Sequence, residues 1–159
     1  MNEAEDVIAL DTVSKFPFSK SLRVPTDLSA LARVLDWFDG LESPLVPQRI
    51  WLQLKTALAE AFTNAVRHAH QGESDLTVEI YFEQTAETLE LRVIDCGPRF
   101  DLEAKLQELP DEDLNATGGR GLRLMECIAD ELHYTRLEDD RNCLSLLKRY
   151  EIQSSSQEA

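Results

Sequence analysis

Apolar and polar positions along the chain divide it into short periodic segments. Residues 16–24 can form a strand, and Pro25 stops it. Thr26 or Asp27 then caps a helix reaching residue 38, with Leu28, Leu31, Leu35 and Phe38 at helical spacing and Gly40 at its end. After the loop ESPLVPQ a second helix begins near Gln48 and stops around Gln71-Gly72. With residues placed at about 100° per position, Ile50, Leu54, Ala57, Leu58, Ala61 and Ala65 form one apolar stripe. Glu60, Asn64 and His68 form a separate ridge along the edge of that stripe, each one turn from the next.

Residues 76–83 and 89–95 alternate well. Val78, Ile80 and Phe82 share one face, as do Leu89, Leu91 and Val93, and the loop QTAET between the runs predicts a hairpin. Residues 98–117 lack periodicity and hold the acidic run PDEDLN, a length of loop associated with function or mobility. Gly118-Gly119-Arg120-Gly121 opens a third helix, expected to run through Leu132 with Leu122, Met125, Ile128 and Ala129 inward. Residues 133–137 and 143–150 close the chain as a second hairpin. Helices grouped between antiparallel pairs point to a two-layer α+β sandwich rather than a doubly wound sheet. A single domain is expected over 16–151, with 1–15 and 152–159 as flexible, polar ends.

Composition narrows the function classes. The 159 residues, 43% hydrophobic and 29% charged, suit one globular domain with a real core. Sixteen basic against 30 acidic residues give a net charge of −14, which argues against nucleic acid or a membrane surface as partner. Cys96, Cys127 and Cys143 are odd in number and show no CxxC spacing, so reduced thiols in a cytosol are expected rather than a disulfide frame or zinc site. No apolar run approaches the roughly 20 residues that span a bilayer, and the start MNEAED lacks the form of a signal peptide; the expected location is the cytoplasm.

Three features carry candidate chemistry. Asp95 has the parity of Leu89, Leu91 and Val93, so it faces the helical layer if they do. An ionised carboxylate there costs several kcal/mol unless hydrogen bonds reach it. Asp95 then either caps the turn Cys96-Gly97-Pro98 or receives an amino group from a ligand. In GGRGL, small residues open a helix whose N-terminal amides suit an anion such as phosphate, although a simple glycine-rich connection has the same look. Glu60, Asn64 and His68 are either a polar surface edge or a working ridge. In the working case Asn64 offers a neutral oxygen to magnesium, and Glu60 polarises a hydroxyl or water. Asn is a mediocre helix former with no cap to make at mid-helix, which favours that case.

In order, EAFTNAVRH on a helix, IDCGPRFD after a strand and GGRGLRLM at a helix start resemble the N, G1 and G2 boxes of the GHKL ATPases. That superfamily includes gyrase, heat-shock protein 90 and histidine kinases. Within it the chain looks most like the short stand-alone serine kinases of bacteria that act as anti-sigma factors, and the likeness covers most of its length. The resemblance implies the Bergerat fold, a two-layer α/β sandwich with a mostly antiparallel mixed sheet covered on one face by helices. It implies ATP and Mg²⁺ as ligands, with Asn64 on the metal, Glu60 as general base, Asp95 on the adenine amino group and Gly97 admitting the nucleotide. Gly119 and Gly121 match the glycines beside the phosphates. Arg67, His68, Arg99, Thr117, Gly118, Arg120 and Leu122 complete the implied nucleotide-binding set, and residues 98–117 match the lid over ATP. Many members carry a second glycine where Arg99 stands, so Arg99 either restricts the lid or contacts a phosphate.

The implied activity is transfer of the ATP γ-phosphate to a small antagonist, an anti-anti-sigma protein, by a kinase that also holds a sigma factor or analogous regulator. The implied alternatives are a non-catalytic, ATP-binding sequestering module and the catalytic part of a histidine kinase. The last lacks room for a phosphoacceptor helical hairpin. A homodimer through the first strand and helix is a further implied partner.

Overall fold

The computed structural model describes residues 15–69, 75–98 and 119–153. Strands β1 (Phe18–Pro25), β2 (Thr77–Gln84), β3 (Thr88–Asp95), β4 (Glu131–Arg136) and β5 (Asn142–Arg149) form one sheet in the order β1-β2-β3-β5-β4. Every pairing among these strands is antiparallel, so the parallel neighbour of a mixed sheet does not occur among the described residues. Helices α1 (Leu31–Asp39), α2 (Gln48–Asn64) and α3 (Gly119–Ile128) supply the second layer of the α+β sandwich.

Alternation sets the two faces of the sheet. Val78, Ile80 and Phe82 of β2 and Leu89, Leu91 and Val93 of β3 are buried, while Glu79, Tyr81, Glu90 and Arg92 between them stay partly or fully exposed. The apolar stripe predicted on α2 is buried along its whole length, and Trp51 and Phe62 widen it. At its centre the Phe82 ring meets Phe38 and Trp51 edge-on at 5.9 and 5.7 Å, while Phe38 and Trp51 stack at 4.5 Å. Helix α3 packs on α2 through Leu122, Met125 and Ile128, all buried.

Two expectations shift. Before α1, Leu28–Ala30 form a 3₁₀ turn capped by Asp27, whose carboxylate accepts from Ser29 N–H at 2.9 Å. That turn rotates the register, so Ala30, Val34 and Phe38 face the core and Leu28 is left 40% exposed. The third helix ends at Ile128 rather than Leu132, because Leu132 pairs with Leu146 in the β4–β5 hairpin. Near the C-terminus Gln153 N–H donates to the Leu45 carbonyl at 2.7 Å, tying the chain down just past Tyr150. No helix among the described residues is long and apolar enough to cross a membrane.

Candidate functional site

Glu60, the first residue of the polar ridge of α2, lies against the start of α3. Glu60 is half-buried there and makes no hydrogen bond or ion pair among the described residues. Its neighbour is Gly121, in the first turn of α3: a Cβ added at Gly121 would fall 2.5 Å from Glu60 Oε2 and 3.4 Å from its Cδ. Glycine is therefore what lets the carboxylate lie against that turn. The amides opening α3 are the ones a helix cannot satisfy internally, and they favour negative charge. Glu60 and Gly121, some 60 residues apart in sequence, are thus brought into contact.

One turn beyond Glu60, α2 ends at Asn64, and Ala65–Ala69 continue as a π-helical turn. Such widened turns interrupt the regular hydrogen-bond ladder and recur at functional positions. Asn64 is half-buried, and its amide makes no hydrogen bond among the described residues. Arg67 is exposed within the π turn. The expected helix end at Gln71-Gly72 lies outside the described residues, as does the His68 side chain.

β3 ends in Asp95, 6% exposed and on the helix-facing side as its parity predicts. Its Oδ1 accepts from Gly97 N–H and from Asn142 Nδ2, both at 2.9 Å. The turn-capping reading of Asp95 is thus realised, and it engages one oxygen only; Oδ2 accepts no hydrogen bond among the described residues. Asn142, fully buried, stands opposite Asp95 in the β3–β5 register. Its Nδ2 also donates to the Gly97 carbonyl at 2.8 Å, and Arg136 Nη1 donates at 2.9 Å both to Asn142 Oδ1 and to the Gly97 carbonyl. These donors satisfy a carboxylate and a turn that burial would otherwise destabilise. Tyr134 lies in the same quarter: burial first, and the Asp95 charge second, push its phenol well above the ordinary value.

The structure therefore joins Asp95 to Gly97 and Glu60 to Gly121, with β3 also touching α2 and the π turn. Gly119 and Arg120 open α3 as predicted, while the Leu122 side chain belongs to the core. Arg99, Thr117, Gly118, the rest of 99–118 and the Arg120 side chain lie outside the described residues. Asn142 and Arg136 are functional candidates that sequence reading missed. A lone Asn at the start of a strand carries no pattern, and its partners are 45 and 47 residues away.

Comparison with known proteins identifies the family. The family model for the histidine kinase-like ATPase domain matches residues 24–148. The chain is 32% identical over 141 residues to the serine-protein kinase RsbW of Bacillus licheniformis, covering 84% of this chain and 80% of that one. It is 39% identical over 85 residues to the RsbW of Listeria innocua and 40% over 85 residues to that of Bacillus subtilis, in each case covering 50% of this chain. The chain spans about half the length of the Listeria relative, 54% of it. Residues 24–148 run from the last two residues of β1 to the penultimate residue of β5, so the match spans Glu60, Asp95, Gly121 and Asn142. The chain belongs to the histidine kinase-like ATPase family.

Proposed function

We propose that the protein is an ATP-dependent protein serine/threonine kinase that phosphorylates a small antagonist protein and holds a sigma factor or analogous regulator. The observation that carries this reading is the half-buried Glu60 carboxylate, unpaired among the described residues and seated against Gly121 at the opening of α3. A carboxylate kept free at a helix N-terminus is suited to take a proton beside an anionic group. The names of the relatives, serine-protein kinases, support the same reaction class.

The residues fit an adenine nucleotide with magnesium. Asp95 has one carboxylate oxygen committed and the other able to accept an amino proton. Asn64 carries an amide oxygen with no partner among the described residues, suited to a hard cation that retains most of its waters. When bound, magnesium ATP supplies the transferable phosphoryl group and much of the charge neutralisation. The chain's own work is positioning: Asp95 orients the base, amides opening α3 receive phosphate charge, and Glu60 accepts the proton of the attacking hydroxyl.

Incubation with ATP, Mg²⁺ and a candidate antagonist is expected to give a phosphoserine detectable by mass spectrometry. Glu60→Ala should slow transfer by about 10²–10⁴-fold while leaving ATP affinity nearly intact. Wild-type transfer by that variant removes Glu60 from the base role. ATP binding without transfer to any partner assigns the protein to sequestration instead.

A further inference from the structure

From the hydrogen bonds at the end of β3, we infer that Asn142 and Arg136 are positioning residues that aim Asp95 and thereby set which purine the cleft accepts. The inference rests on the adenine site proposed above and adds to it the device that makes the site selective.

Three observations support it. First, a carboxylate has two oxygens, and the Asp95 bonds to Gly97 N–H and Asn142 Nδ2 both fall on Oδ1 at 2.9 Å. With Oδ1 doubly occupied, Oδ2 is the oxygen that accepts no hydrogen bond among the described residues, and rotation of the carboxylate would break two charge-assisted bonds. Secondly, Asn142 cannot turn away. Its Nδ2 donates to Asp95 and to the Gly97 carbonyl, and contacts the Pro98 carbonyl at 3.2 Å, while its Oδ1 accepts from Arg136 Nη1 at 2.9 Å. Those partners also fix the orientation of the amide, since only the nitrogen can donate to a carboxylate and only the oxygen can accept from a guanidinium. Thirdly, Arg136 Nη1 reaches past Asn142 to the Gly97 carbonyl at 2.9 Å, so the β4–β5 hairpin holds the turn that follows Asp95 as well as Asp95 itself.

The chemical consequence is selectivity by an acceptor that has no alternative. An ionised carboxylate only accepts, so Oδ2 rewards a purine with a 6-amino group and leaves a 6-oxo purine facing lone pair against lone pair. Without Asn142 the carboxylate is free to rotate and to hydrate, and the distinction between the two bases weakens. A residue acting only on stability would change affinity for both bases together, whereas a residue that aims Asp95 changes their ratio.

The test is titration calorimetry of the full chain with ATP and with inosine triphosphate, each with Mg²⁺, for wild type, Asn142→Leu and Arg136→Met. Wild type should prefer ATP. Asn142→Leu should weaken ATP binding by about 10–100-fold and inosine triphosphate by less than about threefold, so that the preference collapses. Arg136→Met, which keeps Asn142 and removes one of its partners, should give an intermediate ratio and decides the matter if Asn142→Leu does not fold. A folded variant that loses both nucleotides equally, or keeps the wild-type ratio, overturns the positioning role while the adenine site stands. A wild type with no preference for ATP overturns the adenine site as well.

Discussion

Substituting Gly121 by alanine separates stability from activity and tests how the two helices share the cleft. The new methyl would sit 2.5 Å from Glu60 Oε2, well inside contact distance, and 3.4 and 3.5 Å from its Cδ and Cβ, which is ordinary contact. Only the tip of a flexible side chain has to move. Adopting another Glu60 rotamer costs about 0.5–1.5 kcal/mol where it is strained. Replacing glycine by alanine inside a helix returns up to about 1 kcal/mol, less near the helix start. The two effects offset, so Gly121→Ala should unfold in urea within about 1 kcal/mol of wild type. Phosphoryl transfer should nevertheless fall by at least about tenfold, because the carboxylate has left the turn that would face the phosphate. The double mutant Glu60→Ala/Gly121→Ala isolates the contact: with the carboxylate gone, the alanine should stabilise by its helix preference alone. A coupling of about 1 kcal/mol between the two positions is expected from the cycle. Additivity within about 0.3 kcal/mol, or full transfer activity in Gly121→Ala, would refute the claim that the glycine exists to seat Glu60.

Two further outcomes concern the core and the pH response. Trp51 is buried with no acceptor for its Nε1 among the described residues, yet its ring stacks on Phe38. Trp51→Phe should therefore stay within about 1.5 kcal/mol of wild type by denaturation, against about 3–5 kcal/mol for Trp51→Ala. The phenol of Tyr134 is raised above its ordinary value of 10.0, first by burial and then by Asp95. A folded-state value above the unfolded one stabilises fully below about pH 10 and is lost as pH rises beyond it, because the unfolded chain then releases the proton more readily. Tyr134→Phe should flatten the alkaline decline in melting temperature, and an unchanged decline would place the titration elsewhere.

Much of the frame was legible because burial imposes a period. The α2 stripe and the alternating runs of β2 and β3 were read from spacing alone, and every named apolar position in them is buried. The parity that placed Asp95 inward worked for the same reason. Failures arose where the period changed or the partner was distant. The 3₁₀ turn at Leu28–Ala30 advances faster per residue than an α-helix, so leucines spaced for a helix did not define the buried side of α1. Leu132 follows apolar helix residues and could be read either way until its pairing with Leu146 decided it. The winding change after Asn64 leaves no mark in AVRHA. Half of the proposed site, Glu60, Asn64, Asp95 and the glycines, was visible as boxes of residues. The other half, Asn142 and Arg136, depends on a hairpin folding back beside β3, which no local pattern encodes.

The facing of Asp95 and Asn142 across β3 and β5 makes the cleft a gauge of correct zipping. A slip of one residue between these strands would turn the amide to the opposite side of the sheet and strip the carboxylate of one of its two donors. A ligand that needs that carboxylate binds only chains whose strands have closed in register, and by mass action it draws the population toward them. Misaligned chains gain nothing from its presence.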